Sequence, residues 1–223
     1  MAEYASAGGS ALPLFGGGAG QALNDVIPNQ RVDRIVRYVR QLDRRLEELE
    51  SQRVESLLDD PAKQDLVVMG GQQATRALSD HRIELIVQAV VNGISDDDVS
   101  TIRKNRLLRL LGQIDDDEVA ILNAYGSAYG GGKGEWDKVQ RPPPGYIGAP
   151  VKELDDNKLY EAGSERLLQM GLLEQKFTSL RKGELPEFDK TAGRFKGRMD
   201  ISYLGRMLLR EIGLPTEFDK QRE

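Results

Sequence analysis

The last quarter of the chain constrains the fold most, because its apolar pattern alternates between helical and strand-like segments. Residues 154–171 carry apolar side chains at helical spacing, and 172–180 and 198–202 are typical of short strands. A basic, glycine-containing stretch over 181–197 separates these strands, and 203–212 returns to helical spacing. This order predicts a helix, a strand, a long turn, a returning strand and a closing helix.

A second periodic pattern lies in the first half of the chain. Apolar residues recur there at alternating spacings of three and four, which predicts a helix that opens at Pro28 and carries one apolar seam. The seam consists of Val32, Ile35, Val39, Leu42, Leu46 and Leu49. Val36 and Tyr38 widen the apolar face, which favours packing inside a helical bundle. Arg45 and Glu50 occupy flanking positions that pair across dimeric coiled coils, so a homodimer seam is the alternative.

Further helices are predicted downstream of this seam. One helix is expected over 62–91, with Gly70 and Gly71 as the place for a kink. Its predicted buried residues are Ala74, Leu78, Leu85, Ile86, Ala89 and Val90. His81 shares their helical stripe, which predicts a partly buried structural histidine rather than a catalytic base.

Two acidic runs begin the next two predicted helices. Ser95 with Asp98, and Asp115 with Glu118, have the spacing of capping boxes. Both runs lack the glycine and glutamate positions of an EF-hand loop, so they are interpreted as helix starts rather than as metal ligands. The chain is therefore expected to be mainly α-helical, a helical bundle with a C-terminal module that contains a single β-hairpin.

Two segments, 1–27 and 126–150, lack the periodic apolar spacing of a helix or a strand. Residues 1–27 are rich in Gly and Ala and predict a flexible segment; contact with a membrane or a partner through 4–24 is the alternative. Residues 126–150 are too rich in Gly and Pro for a helix and predict a long loop. The organisation expected is a long-helix region over 28–94, a C-terminal domain over 95–215 and a tail over 216–223.

Several kinds of chemistry lack the residues they require. The chain contains no cysteine, which excludes disulfides and thiolate chemistry and indicates a reducing, cytoplasmic location. The glycine-rich stretch over 126–134 departs from the P-loop pattern, because Ser127 and Gly134 stand at its two end positions. Without a nucleophile elbow or a cofactor motif, the sequence predicts a protein that is not an enzyme and that uses no cofactor.

The C-terminal quarter resembles the end of winged-helix domains. The resemblance rests on two segments, Leu167-Leu168-Gln169-Met170-Gly171-Leu172-Leu173 and Ile201-Ser202-Tyr203-Leu204-Gly205-Arg206-Met207-Leu208-Leu209. It implies that the two capping-box helices and the helix over 152–170 form the three helices of such a domain, with 126–150 inserted before the third. The whole chain also resembles uncharacterised bacterial proteins that join a helical N-terminal half to such an ending.

Charge distinguishes the partners that this resemblance implies. The third helix, over 152–170, carries three basic against five acidic side chains, so it would repel DNA phosphates. The predicted wing and its flanks, over 176–198, carry seven basic against three acidic side chains. We therefore expect a non-enzymatic module that binds protein. The alternative is a DNA-binding regulator with a basic wing, and the second alternative is a membrane-associated effector. The candidate contacts for nucleic acid or an acidic partner are Arg181, Lys182, Lys190, Arg194, Lys196 and Arg198.

Overall fold

A computed structural model describes most of the chain and shows a mainly α-helical protein with a small antiparallel sheet. It describes residues 19–49, 60–95, 101–129, 131–137, 139, 146, 148–177, 184–190 and 193–220. Side chains are described from residue 30 onward, apart from Thr101, Arg194, Glu217 and Lys220. Residues 1–18, the larger part of the segment expected to be flexible or membrane-bound, lie outside this range.

Helices form the body of the molecule and two short antiparallel ladders lie near its C-terminus. The helices are α1 (Ala19–Glu47), α2 (Pro61–Ala74), α3 (Asp80–Ser95), α4 (Thr101–Leu111), α5 (Asp116–Ala128), α6 (Val151–Gln169), α7 (Tyr203–Glu211) and α8 (Glu217–Lys220). The strands are β1 (Leu173–Lys176), β2 (Phe188–Asp189), β3 (Arg194–Phe195) and β4 (Arg198–Ile201). β1 pairs with β4, and β2 pairs with β3 between them, so the single hairpin expected contains two nested ladders.

The first helix is longer than its apolar pattern predicted. α1 begins at Ala19, so residues 19–27 are helical and the prediction that the helix opens at Pro28 is wrong. The Ala, Gln and Leu residues of 19–23 have high helix propensity, and they extend the helix upstream of a proline that cannot donate a backbone hydrogen bond. None of the helices in the described part of the chain has both the length and the apolar character that a bilayer-spanning segment needs.

The seam of α1 is buried only in part. Leu42 is 5% exposed and packs in the core, whereas Val32 is 57% exposed, and Ile35 and Val39 are exposed as well. Leu46 and Leu49 are half-buried against the core. Tyr38, which lies beside the seam, is buried and donates its hydroxyl to the carbonyl of Val67 at 2.9 Å. α1 therefore packs on α2 and α3 through the face that carries Tyr38 and Leu42, and the predicted homodimer seam stays a prediction.

The helix predicted over 62–91 is two helices. α2 ends at Ala74 and α3 begins at Asp80, whereas Gly70 and Gly71 lie inside α2. The hydroxyl of Ser79 accepts a hydrogen bond from the backbone N–H of Arg82 at 3.0 Å and so starts α3, a cap that the apolar pattern did not show. The break takes Leu78 out of the helical register, which is why it is exposed instead of buried. His81 is exposed for the same reason, so its predicted burial is wrong.

The buried residues form one continuous core around α3. This helix packs against α1, α2, α4 and α7 and buries Ile83, Ile86, Val90 and Ile94. The core cluster runs from Tyr38 to Ile212 and so crosses the boundary expected near residue 95. Polar contacts cross it too: the amide of Asn92 donates to the carbonyl of Glu211 at 2.8 Å. The ammonium of Lys104 pairs with the Glu211 carboxylate at 2.8 Å, with both side chains buried.

The corner between α4 and α5 is fixed by one capping box and one buried arginine. Asp115 and Glu118 form both hydrogen bonds of the predicted capping box, at 2.8 and 2.9 Å, which confirms it. The guanidinium of Arg82 donates to the carbonyls of Leu111 and Ile114 at the end of α4, the latter at 2.6 Å. Burial lowers the pKa of Arg82, and burial raises the pKa of Glu118. Of the predicted box of Ser95 with Asp98, Asp98 lies outside the described residues, and Ser95 is the last residue of α3, where its hydroxyl donates to the carbonyl of Val91 at 2.8 Å.

The C-terminal elements are joined by close backbone approaches. α6 begins at Val151 after Pro150, which caps it without a side-chain hydrogen bond. Asp155 and Asp156, either of which the sequence favours as the N-cap of this helix, lie inside it. A Cβ added at Gly205 would lie 2.2 Å from the carbonyl oxygen of Leu172, so only glycine allows α7 to pack this close to the start of β1.

The tail predicted over 216–223 begins with residues that pack against the body of the molecule. Asp219 of α8 is buried and accepts hydrogen bonds from Arg210 at 3.1 Å and from the hydroxyl of Thr216. The guanidinium of Arg206 lies 3.4 Å from the same carboxylate and stacks 4.6 Å from the ring centre of Tyr129. These contacts hold α8 against α7 and the end of α5.

Candidate functional site

The hairpin between α6 and α7 projects an aromatic cluster from the body of the molecule. Leu173 pairs with Ile201 at its base, and both side chains are buried. Beyond this base, β2 and β3 pair in a second ladder, which we call the inner ladder, and Phe188 lies opposite Phe195 there. We refer to residues 177–197 as the wing. Its described residues are 177, 184–190 and 193–197.

Three phenylalanine side chains share one exposed surface of the wing. The rings of Phe177 and Phe195 meet edge to face at 6.4 Å, and those of Phe188 and Phe195 at 5.2 Å. Phe177, Phe188 and Phe195 remain 40%, 50% and 45% exposed, and we call this group the aromatic patch. Leu185 on the same hairpin is also exposed. Clustered exposed aromatic side chains are typical of surfaces that bind a partner.

Backbone hydrogen bonds hold the aromatic patch in place. The N–H of Lys196 donates to the carbonyl of Glu187 at 2.7 Å, extending the inner ladder by one pair. The side-chain amide of Gln175 donates to the carbonyl of Phe195 at 2.7 Å and links the two ladders. The rings are thus presented by a paired backbone, which reduces the entropy lost when a partner binds.

The basic side chains of this region are less available than the sequence implied. Lys196 pairs with Glu187 at 2.6 Å. Arg198 and Lys176 both pair with Asp200, at 3.2 and 3.0 Å. The hydrogen bond to Glu187 raises the pKa of Lys196. Asp200 lies in β4, outside the acidic residues counted for the wing, and its one carboxylate is shared by two of the seven basic side chains.

The remaining candidate contacts are described only in part. Lys190 is exposed at the end of the inner ladder. Arg194 belongs to β3, opposite Asp189, but its side chain lies outside the described atoms. Arg181 and Lys182 lie outside the described residues. The structure thus brings Lys196 and Arg198 to the hairpin that carries the aromatic patch, each beside a carboxylate partner.

The helix α6 presents an exposed acidic face. Val151, Leu154 and Leu159 project from the first half of α6, and Val151 and Leu159 are each 72% exposed. The acidic side chains of the same face are Asp155, Glu161 and Glu165, all exposed. The second half is attached to the body by Leu167, which is fully buried, and by Arg166, which pairs with Glu118 at 3.4 Å.

Two clefts in the helical body contain polar side chains. The larger, about 1100 Å³, is lined among others by Gln73, Arg82 and Arg109. The smaller, about 610 Å³, contains His81, Ser127 and Glu135. The hydroxyl of Ser127 donates to the carbonyl of Asn123 at 2.8 Å and accepts from the N–H of Glu135 at 2.9 Å. That hydroxyl is engaged by backbone groups on both sides, so its observed role is to close the loop after α5. The described residues contain no cluster of side chains that could hold a metal ion.

The loop predicted over 126–150 begins later than expected. α5 continues to Ala128, and buried Gly126 allows α5 to approach Leu209 of α7. Trp136 packs edge to face on Tyr125 at 4.9 Å and so ties the loop to the body, whereas Tyr146 is exposed.

The aromatic patch was missed by reasoning from helix and strand patterns. A simple signal was present, because three of the five phenylalanines of the chain fall within 177–195. No protein-family model, curated protein or solved structure matches the chain.

Proposed function

We propose that this is a non-enzymatic interaction protein whose C-terminal, winged-helix-like module binds another protein. The observation that carries the proposal is the aromatic patch, which is held by the hydrogen-bonded hairpin and remains about half exposed. A folded chain gains nothing from leaving three adjacent aromatic rings in water, whereas a protein partner gains by covering them.

The order of elements supports a winged-helix-like assignment. α4, α5 and α6 precede a long hairpin, and α5 contacts both α6 and α7. The acidic face of α6 disfavours insertion into a DNA groove, so the fold serves as a scaffold for the wing. We place this activity in the cytoplasm, because a chain without cysteine suits a reducing compartment.

Quantitative capture from the native host tests this proposal. The variant Phe188→Ser with Phe195→Ser removes two rings of the aromatic patch, and it should reduce recovery of the captured proteins by about tenfold. The matched control is Val68→Ser with Ile102→Ser, which removes two exposed apolar side chains from the helical body. Equal recovery by the patch variant, with an unchanged circular dichroism spectrum, would contradict the proposal.

A DNA-binding regulator is the second candidate. The exposed side chain of Arg198, 78% accessible beside Asp200, favours it, together with the exposed Lys190. A gel shift titrated with salt separates the candidates, because phosphate contacts weaken steeply as salt rises. Binding at low salt that is lost when Arg181, Lys182, Arg194, Lys196 and Arg198 are replaced by Ala would favour DNA over protein.

A further inference from the structure

The module carries two exposed surfaces whose chemistries match each other. The first is the aromatic patch with Leu185, on a wing region that over 177–198 contains six basic and three acidic residues. The second is the outer face of α6, where Val151, Leu154 and Leu159 lie among the acidic residues Asp155, Glu161 and Glu165. We call the second surface the α6 face. One surface is aromatic and basic, and the other is aliphatic and acidic.

Neither surface covers the other within one chain. The rings of the aromatic patch are 40–50% exposed, and Val151 and Leu159 are 72% exposed, so both surfaces face solvent in the same molecule. In the part of the chain that the structure describes, α6 contacts β1 of the hairpin near its own C-terminal end, where Leu167 and Leu172 are buried. The aliphatic residues lie in the first half of α6, about 12–24 Å farther along the helix at its usual rise per residue.

We propose that the partner of the aromatic patch is a second copy of this chain. The inference rests on the proposed function and specifies its partner. In a two-fold symmetric dimer, the wing of each copy covers the α6 face of the other, so that one contact type occurs twice. The rings of Phe188 and Phe195 pack on the side chains of Leu154 and Leu159, and basic groups of the wing approach Asp155 and Glu165.

Charge favours this arrangement over pairing of like surfaces. Two wings placed together would oppose basic groups, and two α6 faces would oppose carboxylates. Within the α6 face, Lys158 pairs with Glu161 at 2.6 Å, which leaves Asp155 and Glu165 as its remaining acidic groups. Among the described residues Asp155 and Glu165 form no ion pair within 4 Å, but the charge of Lys158 also acts on Glu165, so Asp155 is the carboxylate most available to the basic wing of a second copy.

The available area is sufficient for a specific dimer. Seven apolar side chains take part in each copy, and at their exposures each offers on the order of 100 Å². Complete coverage in both copies would bury on the order of 1,400 Å², within the range of about 1,200–2,000 Å² for specific interfaces. A single wing contact would supply half of that area, which is why the proposal requires the symmetric, closed arrangement.

Sedimentation velocity over a concentration series tests the dimer with the full chain. The wild type should show reversible monomer–dimer exchange. Phe188→Ser with Phe195→Ser should be monomeric at the same concentrations, and so should Leu159→Ser with Glu165→Lys on the α6 face. Val68→Ser with Ile102→Ser is the control that should dimerise like the wild type. Circular dichroism verifies that each variant retains the helical content of the wild type.

Mixing the two monomeric variants gives the sharpest result. In their heterodimer one contact loses both surfaces and the other keeps both, so an equimolar mixture should associate more than either variant alone but far more weakly than the wild type, because half of the interface is lost. A wild type that stays monomeric, an α6 variant that still dimerises, or a mixture that dimerises as strongly as the wild type would each overturn the inference. If the wild type is monomeric but the patch still governs capture of a different protein, the proposed function stands without it.

Discussion

The core around α3 and the wing both contain large apolar side chains, but in opposite surroundings. Ile86 and Leu208 are at most 1% exposed and contact neighbours on several helices. Phe188 and Phe195 contact each other and are about half exposed. The core residues are explained by the stability they give the fold. The wing residues are not, and this difference is the reason for the proposal that the wing binds a partner.

Removing one partner of the buried ion pair should have the largest effect on stability. Lys104→Met leaves the carboxylate of Glu211 without its ammonium partner in the core, at a cost of about 3–5 kcal/mol in the free energy of unfolding. Urea unfolding followed by circular dichroism measures this loss. The matched control is Arg37→Met, because Arg37 pairs with Asp80 at the surface and should change stability by less than about 1 kcal/mol.

Truncating the central helix should have the next largest effect. Ile86→Ala removes a fully buried side chain from α3 and should cost about 2–5 kcal/mol, because it leaves a cavity beside the helices that α3 contacts. The control is Ile102→Ala on the exposed face of α4, where the change should stay within about 0.5 kcal/mol. Equal losses for the two variants would contradict the placement of α3 at the centre of the core.

The capping box of α5 should contribute a smaller amount. Asp115→Ala removes the oxygen that accepts from the N–H of Glu118, which should cost about 0.5–2 kcal/mol. The control is Asp117→Ala in the first turn of the same helix, which keeps the box and loses only a dipole interaction of about 0.3–1 kcal/mol. The same urea titrations compare the two variants, and a larger loss for Asp117→Ala would refute this assignment.

The wing should show the smallest effect on stability. Phe188→Ser with Phe195→Ser should lower the free energy of unfolding by less than about 1.5 kcal/mol, mainly through the lost contact between the two rings. A loss as large as that of Ile86→Ala would show that the aromatic patch belongs to the core and would remove the contrast between the two regions.

Much of the helical architecture could be predicted from sequence because it depends on local spacing. The closing strand and helix were placed to within a residue, and the capping box of Asp115 with Glu118 was recognised from its spacing. The break between α2 and α3 was missed, since Ser79 caps a helix inside a segment whose apolar spacing continues. The exposure of Val32 and Val39 depends on which neighbours α1 meets, and a periodic seam does not contain that information.

The ion pairs near the wing and the aromatic patch were harder to predict from the sequence than the helices were. The basic residues near the wing can be counted in the sequence. The ion pairs of Lys176 and Arg198 with Asp200 cannot, because they depend on how β1 and β4 pair. The aromatic patch depends on the inner ladder, because pairing across β2 and β3 brings Phe188 opposite Phe195. Residues 188–189 and 194–195 are too short to give a strand pattern, so their pairing could not be anticipated.

Photo-crosslinking in the native host tests the central claim most directly. A photoreactive phenylalanine analogue placed at Phe195 should crosslink to protein in a defined, saturable adduct, whereas the same analogue at Val68 should give only weak background. An adduct with a second copy of the chain would support the symmetric dimer, and one with a different protein would support the proposed function alone. The absence of any protein adduct at Phe195 above that background would contradict the account of the wing as a protein-binding surface.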